Sequence, residues 1–331
     1  MSRRERRLNR KKIQKKNYNP QLAHSIKKKD DAVISSSINR KNRNIIQKIY
    51  EDNYKKLMII PILMLIFSFV LIGVQYANTG SFMEFGVSIT GGIAITVPSV
   101  DDFVPLDVEQ KLISRMEDSD ITVRRLESPD SIGVSVEASN VEANVFLSAM
   151  REIFGDFTDY SLEETGSTLG EAFFRQSLFA LVFAFILMGI VVFLSFKTFV
   201  PSMAVILSAV FDIIVTVAIV NLLGIRVSAA GLAGFLMLVG YSVDTDVLMS
   251  SKILRGNKKT LLLNLYDAMG TGLMMSLTTI VALVAGIFFS NSEVLTQIMT
   301  IVLIGLFVDL ISTWIQNAGM MRIYMERNSA K

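Results

Sequence analysis

The chain has 331 residues, 51% of them hydrophobic and 19% charged, with a formal net charge of +3. It contains no cysteine, which excludes disulfides, thiolate catalysis and iron–sulfur clusters. The single histidine, His24, lies in a polar tail, and no histidine–carboxylate cluster stands at metal-ligand spacing, so no metal or cofactor is assigned.

The first stretch, residues 1–56, carries 18 Lys/Arg against 5 Asp/Glu, about +13. Its run "RRERRLNRKKIQKK" reads as a disordered, topology-fixing basic arm. Acidic lipid headgroups or ribosomal RNA are alternative partners, but the interleaved aromatics of a nucleic-acid platform are missing, so a nucleic-acid ligand is not expected. The apolar run that follows is too long for a signal peptide and has no small-residue cleavage site.

That run, 57–76, is the first of six long enough to cross a bilayer, a crossing that needs about 20 mostly apolar residues. The others are 175–195, 201–222, 227–249, 271–290 and 294–315. The chain is therefore expected to be a polytopic α-helical membrane protein. The positive-inside rule sets the basic tail in the cytoplasm. It then also sets Lys197, Lys252, Arg255, Lys258, Lys259, Arg322, Arg327 and Lys331 there, leaving Arg226 and Glu293 for the short loops opposite.

Between the first two runs, residues 77–172 carry 5 Lys/Arg against 18 Asp/Glu, about −13, and are long enough to fold alone. "ITGGIAITV" (89–97) alternates as a strand does. "DVEQKLISRMED" sets Val108, Leu112, Ile113 and Met116 at helical spacing behind Asp107 as N-cap. "ITVRRL" (121–126) and "IGVSV" (132–136) are short strands with Ser-Pro-Asp at the turn between them. "SNVEANVFLSAMREIFG" opens on a capping box of Ser139 and Glu142 and stops at Gly155. "FTDYSL" (157–162) supplies a last strand. The order βαββαβ predicts an external ferredoxin-like α+β domain between helices 1 and 2. The expected layout is a basic cytoplasmic tail 1–56, a first span 57–76, the external domain 77–172, helices 2–6 over 173–317, and a cytoplasmic tail 318–331.

In the remaining spans, small residues prepare close packing: Ala230 and Gly234 form a small-xxx-small pair, with Ala229, Ala233 and Gly240 alongside, and "MGTGLMMSLTT" (269–279) opens the fifth span. No Walker loop, nucleophile elbow, zincin helix or kinase signature occurs, so an enzyme is not expected.

What the spans do contain is carboxylates: Asp212 in the third, Asp244 and Asp246 in the fourth, and Asp309 in the sixth. A charge at the bilayer centre costs about 2.5–3.5 kcal/mol on insertion scales, and such groups usually face the bundle interior. No Lys or Arg lies at matching depth, and an unpaired, protonatable carboxylate is what a proton relay needs. All four are candidates. The alternative is structural, with Asp246 capped by Ser250 or paired with Lys252, or a neutral Asp hydrogen-bonded between helices. Positions 244 and 246 stand about 200° apart around a helix, so they face different neighbours, of which a partner subunit is one.

Four stretches carry a family resemblance: "TGG" (Thr90, Gly91, Gly92), "GYSVDTDV" beginning at Gly240, Tyr241 and Ser242, "SLTT" (276–279) and "WIQNAG". Over about residues 57–325 the chain resembles the SecF branch of the SecD/SecF family of protein-export membrane proteins, within the resistance-nodulation-division (RND) superfamily, and its archaeal form in particular. The resemblance implies a SecD-like partner, a place beside the Sec protein-conducting channel, contact of the external domain with the exported unfolded polypeptide, and proton coupling through fourth-helix carboxylates. It also exposes departures. The bacterial pattern Asn-Asp-Thr is replaced by Asp244-Thr245-Asp246, the fifth-helix Arg has no counterpart near Thr271, and "DFTGG" is "SITGG". Two rival readings stay open: a half-size RND exporter of small molecules or lipids, and a purely structural translocase subunit.

Overall fold

The computed structural model describes residues 50, 52–116, 121–128, 131–139, 141–256, 261–290 and 292–329. His24, the basic run of the tail, Pro129 and Asp130 of the expected turn, Lys258, Lys259 and Lys331 lie outside the described residues. The chain divides into two units, residues 1–54 and Lys55–Lys331, and the architecture below is that of the second.

Six helices are long and apolar enough to cross a membrane, and a small antiparallel sheet completes the unit. The first of these helices, α1 (Ile59–Thr79), ends on Gly80, whose left-handed φ of 72° turns the chain out of it. A short helix, α2 (Val87–Thr90), then leads to strand β1 (Gly92–Val100). The expected strand from residue 89 thus begins three residues later. Gly91 (φ 86°) and Gly92 (φ 137°) take backbone angles that side chains disfavour, and they make the corner between helix and strand.

Helix α3 is Pro105–Ile113, so Asp107 is not its N-cap. Pro105, with its φ already set for a helix, starts the turn behind Val104, and Asp107 falls in that first turn where a negative charge meets the helix dipole. Strands β2 (Ile121–Ser128) and β3 (Ser131–Ala138) follow. Helix α4 is Ala143–Phe154, and Glu142 occupies the N-cap itself without a side-chain cap bond, so the capping box of Ser139 and Glu142 does not form. The helix starts later than the motif requires, and Glu142 cannot be three residues inside it. Gly155, at φ 79°, ends α4 as expected. The last strand, β4, is Ser161–Thr165 and lies beyond the apolar "FTDY": Phe157 and Tyr160 pack on the core, edge to face with each other, instead of pairing.

The sheet order is β2-β3-β1-β4, with every pairing antiparallel. Ile93, Ile95 and Val97 point to one face, where Val134 and Val136 join them under Val108 and Leu112 of α3 and Phe146 and Met150 of α4. That two-period and 3.6-period match is what closes the core.

The other five spans are α5 (Ser167–Phe196), α6 (Phe199–Leu222), α7 (Ala229–Arg255), α8 (Leu261–Phe289) and α9 (Glu293–Ile311). A π-helical turn, Ser312–Asn317, joins α9 to α10 (Ala318–Ser329), so the tail expected from residue 318 is helical. Helices α6 and α7 are the most buried spans, while α1, α5 and α8 expose apolar side chains such as Phe67, Phe183 and Val281. Gly234 does pack on α9, with Ile301 close by, but Ala233 and Gly240 are exposed. The small-residue face is therefore narrower than the spacing implied.

Candidate functional site

Three of the four carboxylates meet in the centre of the bundle. Asp212 on α6, Asp246 on α7 and Asp309 on α9 are each 0% exposed. They arrive from helices that are contiguous around α6 and α9, so no single segment of sequence contains the site. Asp244 does not join them: it is exposed on the outer face of α7, beside Tyr241 and Gly240. The two-residue spacing places them on opposed sides, as helix geometry demands.

Each buried carboxylate is held by hydroxyl or amide donors. Ser242, one turn before Asp246 on the same face of α7, donates to Asp212 Oδ2 at 2.5 Å. Ser312 donates to Asp212 Oδ1 at 2.5 Å. Thr313 Oγ1 lies 2.9 Å from Asp246 Oδ1 and 3.1 Å from Asp309 Oδ1. Asn317 Nδ2 donates to Asp246 Oδ1 at 2.7 Å. Asp246 is therefore neither capped by Ser250 nor paired with Lys252. The Ser250 hydroxyl has no hydrogen-bond partner, and Lys252 Nζ reaches Asp267 Oδ2 and Thr271 Oγ1, both at 2.8 Å.

Ser312, Thr313 and Asn317 were not singled out by sequence reasoning, although "WIQNAG" (314–319) contains Asn317. They come from the π-helical turn. In an α-helix, positions 312 and 317 would stand about 140° apart; the wider turn narrows that spread and turns all three polar groups inward. Such turns recur at functional sites because they re-aim side chains inside an otherwise regular helix. Trp314 of the same turn packs against Gly272 of α8, where a Cβ would come within 2.5 Å of the indole.

Donor arithmetic gives the site its chemistry. A threonine hydroxyl has one hydrogen to give. Of the two carboxyl oxygens Thr313 touches, it can donate to one, and the other contact becomes a hydrogen bond only when that carboxyl carries a hydrogen itself. Asp246 Oδ2 and Asp309 Oδ2 are meanwhile buried with no hydrogen-bond partner. Which of the two Thr313 contacts is a hydrogen bond thus depends on the protonation of the carboxyls. Among the described residues, no three His, Cys, Asp or Glu side chains assemble as a metal site.

The remaining motif residues have structural places. Thr90 Oγ1 donates to Gly86 O at 3.2 Å, holding α2, and Gly91 and Gly92 form the corner already described.

Comparison with known proteins gives one consistent relationship. The profile of the family described as "Protein export membrane protein SecD/SecF, C-terminal" matches residues 145–327. The chain is 36% identical over 282 residues to the protein-export membrane protein SecF of Pyrococcus furiosus, covering 85% of this chain and 94% of that one. It is 35% identical over 288 residues to the SecF of Methanocaldococcus jannaschii, covering 84% and 98%. Among solved structures it is similar to SecDF, a translocon-associated membrane protein from Thermus thermophilus, with TM-score 0.66 at 18% identity over 87% of this chain. SecDF in its super-membrane-facing form gives TM-score 0.55 at 20% identity. The chain spans 39% and 38% of those two longer chains, and at such identity the likeness concerns the fold.

Proposed function

The chain belongs to the SecD/SecF family of protein-export membrane proteins, and from that premise we propose that its buried carboxylates couple a proton gradient to protein export. The chain is an accessory subunit of the Sec translocase that acts in protein export, and its partner is a SecD-type subunit. Asp212, Asp246 and Asp309 are the groups that take up the proton; Ser242, Ser312, Thr313 and Asn317 orient them.

The observation that carries the proposal is the Thr313 hydroxyl shared between Asp246 and Asp309, two carboxyls that are each 0% exposed. Proton uptake changes which of these contacts is a hydrogen bond, and so changes the preferred spacing of α7 and α9.

The rest of the topology follows the charge bias. Both termini are cytoplasmic and residues 77–172 extracytoplasmic, because Lys197, Lys252, Arg255, Arg322 and Arg327 gather at one end of the spans and Arg226 is the lone basic residue of the short loops opposite. The sheet order β2-β3-β1-β4 with α3 and α4 on one face supports a ferredoxin-like domain there. That domain meets the exported unfolded polypeptide as it leaves the channel. Lipid covers the apolar outer faces of α1, α5 and α8. Asp244, outward on α7, faces the SecD-type subunit, since a carboxylate left against lipid is costly.

A structural reading has one observation in its favour: both oxygens of Asp212 already accept hydroxyl hydrogens, as an interhelical clamp would. Export of a secreted substrate, measured with and without a proton gradient, separates the two. Per assembled complex with the SecD-type subunit, Asp246→Asn loses the gradient-dependent part and Asp244→Asn retains it. Normal export by the chain carrying both changes, with no effect of the gradient, leaves only the structural role. A stable complex lacking any SecD-like protein would favour the small-molecule exporter instead.

A further inference from the structure

We propose that Arg226, Glu137, Gln297 and Ser88 form the joint that carries movement of the carboxylate-bearing helices into the sheet domain; this rests on the export reading above. The six residues between α6 and α7 have an unusual number of tasks. Val227 forms a parallel bridge with Phe85, its N–H donating to Glu84 O at 2.8 Å and its carbonyl accepting from Gly86 N at 3.0 Å. Ala229 N, at the start of α7, donates to Ser88 Oγ at 3.0 Å, so the first turn of α7 is held by a side chain of α2. Helix α2 leads through the Gly91–Gly92 corner into β1, and Ile89 lies so close to Gly170 of α5 that a Cβ there would collide with the Ile89 carbonyl.

Helix α9 joins at the same place. Gln297 Nε2 donates to Arg226 O at 2.6 Å, and Gln297 Oε1 accepts from both the N–H and the hydroxyl of Ser228, the N-cap of α7. One glutamine thus ties together the ends of α7 and α9, which carry Asp246 and Asp309 further along. Helix α7 runs unbroken from this tie to Asp246, about 26 Å at 1.5 Å per residue. A continuous helix passes an axial or tilting movement along that length with little loss.

The last step is Arg226 to Glu137. Arg226 Nη1 stands 3.7 Å from Glu137 Oε2, and neither side chain is more than 22% exposed. Glu137 Oε2 is buried without a hydrogen bond, so the ion pair is its attachment. Glu137 sits in β3, opposite Ala94 of β1 and Thr122 of β2, in the interior of the sheet. A pair just beyond hydrogen-bond distance can close or open with a small displacement of the loop. Arg226 and Glu137 therefore act as positioning residues for export: neither is among the groups that hold Asp212, Asp246 and Asp309.

The test uses the full chain with its SecD-type partner. Gradient-dependent export is measured for Arg226→Glu, for Glu137→Arg and for the doubly swapped chain, with co-purification of the partner as the check on folding. Each single reversal is expected to lower gradient-dependent export by about 2- to 30-fold, the span found for substitutions on a coupling route, and the swap to restore it. A merely structural joint would not move the second readout, amide hydrogen exchange. Asp246→Asn is expected to change exchange in residues 84–92 and 132–138, and to leave it unchanged in an Arg226→Gln background. Single reversals that export normally, or an exchange response that persists in Arg226→Gln, overturn the joint. The exchange readout needs no export, so failure of the export reading is told apart from failure of the joint.

Discussion

Replacing Thr313 by Val removes one hydroxyl and keeps the branched shape at a position 0% exposed. That hydroxyl meets Asp246 Oδ1 at 2.9 Å and Asp309 Oδ1 at 3.1 Å. Leaving a buried polar group without its partner costs about 1–3 kcal/mol. The two carboxyls do not lose equally. Asp246 Oδ1 keeps the Asn317 amide at 2.7 Å, whereas Asp309 loses this hydroxyl while its other oxygen is already without a partner. The expected destabilisation is about 2 kcal/mol, weighted toward Asp309. The assay is thermal unfolding of the purified chain in detergent, run beside gradient-dependent export in membranes. Thr313→Ser keeps the hydroxyl and stays near the native chain in both, while Thr313→Val falls in both. A Val chain that matched the native one in stability and in gradient response would refute the bridging role.

The same geometry fixes the other expectations. Gly272→Ala adds a Cβ that would stand 2.5 Å from the Trp314 ring, so it strains the π-helical turn by about 1–3 kcal/mol. It lowers gradient-dependent export without touching a carboxylate; unaltered melting and export would show that the turn yields freely. Asp244→Asn, at an exposed site on α7, leaves the stability of the isolated chain within about 0.5 kcal/mol and weakens recovery of the SecD-type partner in a pull-down. Leu112→Ala opens the sheet-domain core at a residue 0% exposed, at about 2–5 kcal/mol. Limited proteolysis then cuts within residues 92–165 and spares the spans; uniform cleavage would mean that the two parts unfold together.

Hydropathy made the six spans legible, because each helix must bury about 20 apolar residues against lipid or protein whatever its neighbours are. It did not show where they end. Helices α5 and α8 extend beyond their apolar runs to Ser167 and Leu261, where lipid no longer constrains composition. The sheet elements were readable from alternation and spacing, yet local motifs misled at their edges. Asp107 and the Ser139–Glu142 pair each had the right chemistry for a cap, but Pro105 and Glu142 took the starting positions. At the site, the carboxylates stood out one by one as charges in apolar runs. Their convergence did not, since Ser242 and Ser312 reach Asp212 across 30 and 100 residues of sequence. The π-helical turn was invisible to a 3.6-residue reading, and with it Thr313 and Asn317. The 244/246 spacing, by contrast, was enough to separate the two aspartates, because helix geometry alone decides it.

The claim on which the rest depends is that Asp212, Asp246 and Asp309 hold an exchangeable proton between them. Infrared spectroscopy of the purified chain measures this through the carbonyl stretch of a neutral carboxylic acid, which an ionised carboxylate lacks. The native chain is expected to show such a band, responsive to bulk pH, and to lose or shift it in Asp246→Asn and in Asp309→Asn. Absence of the band at every pH, or its persistence unchanged when all three aspartates are replaced by asparagine, would contradict the account.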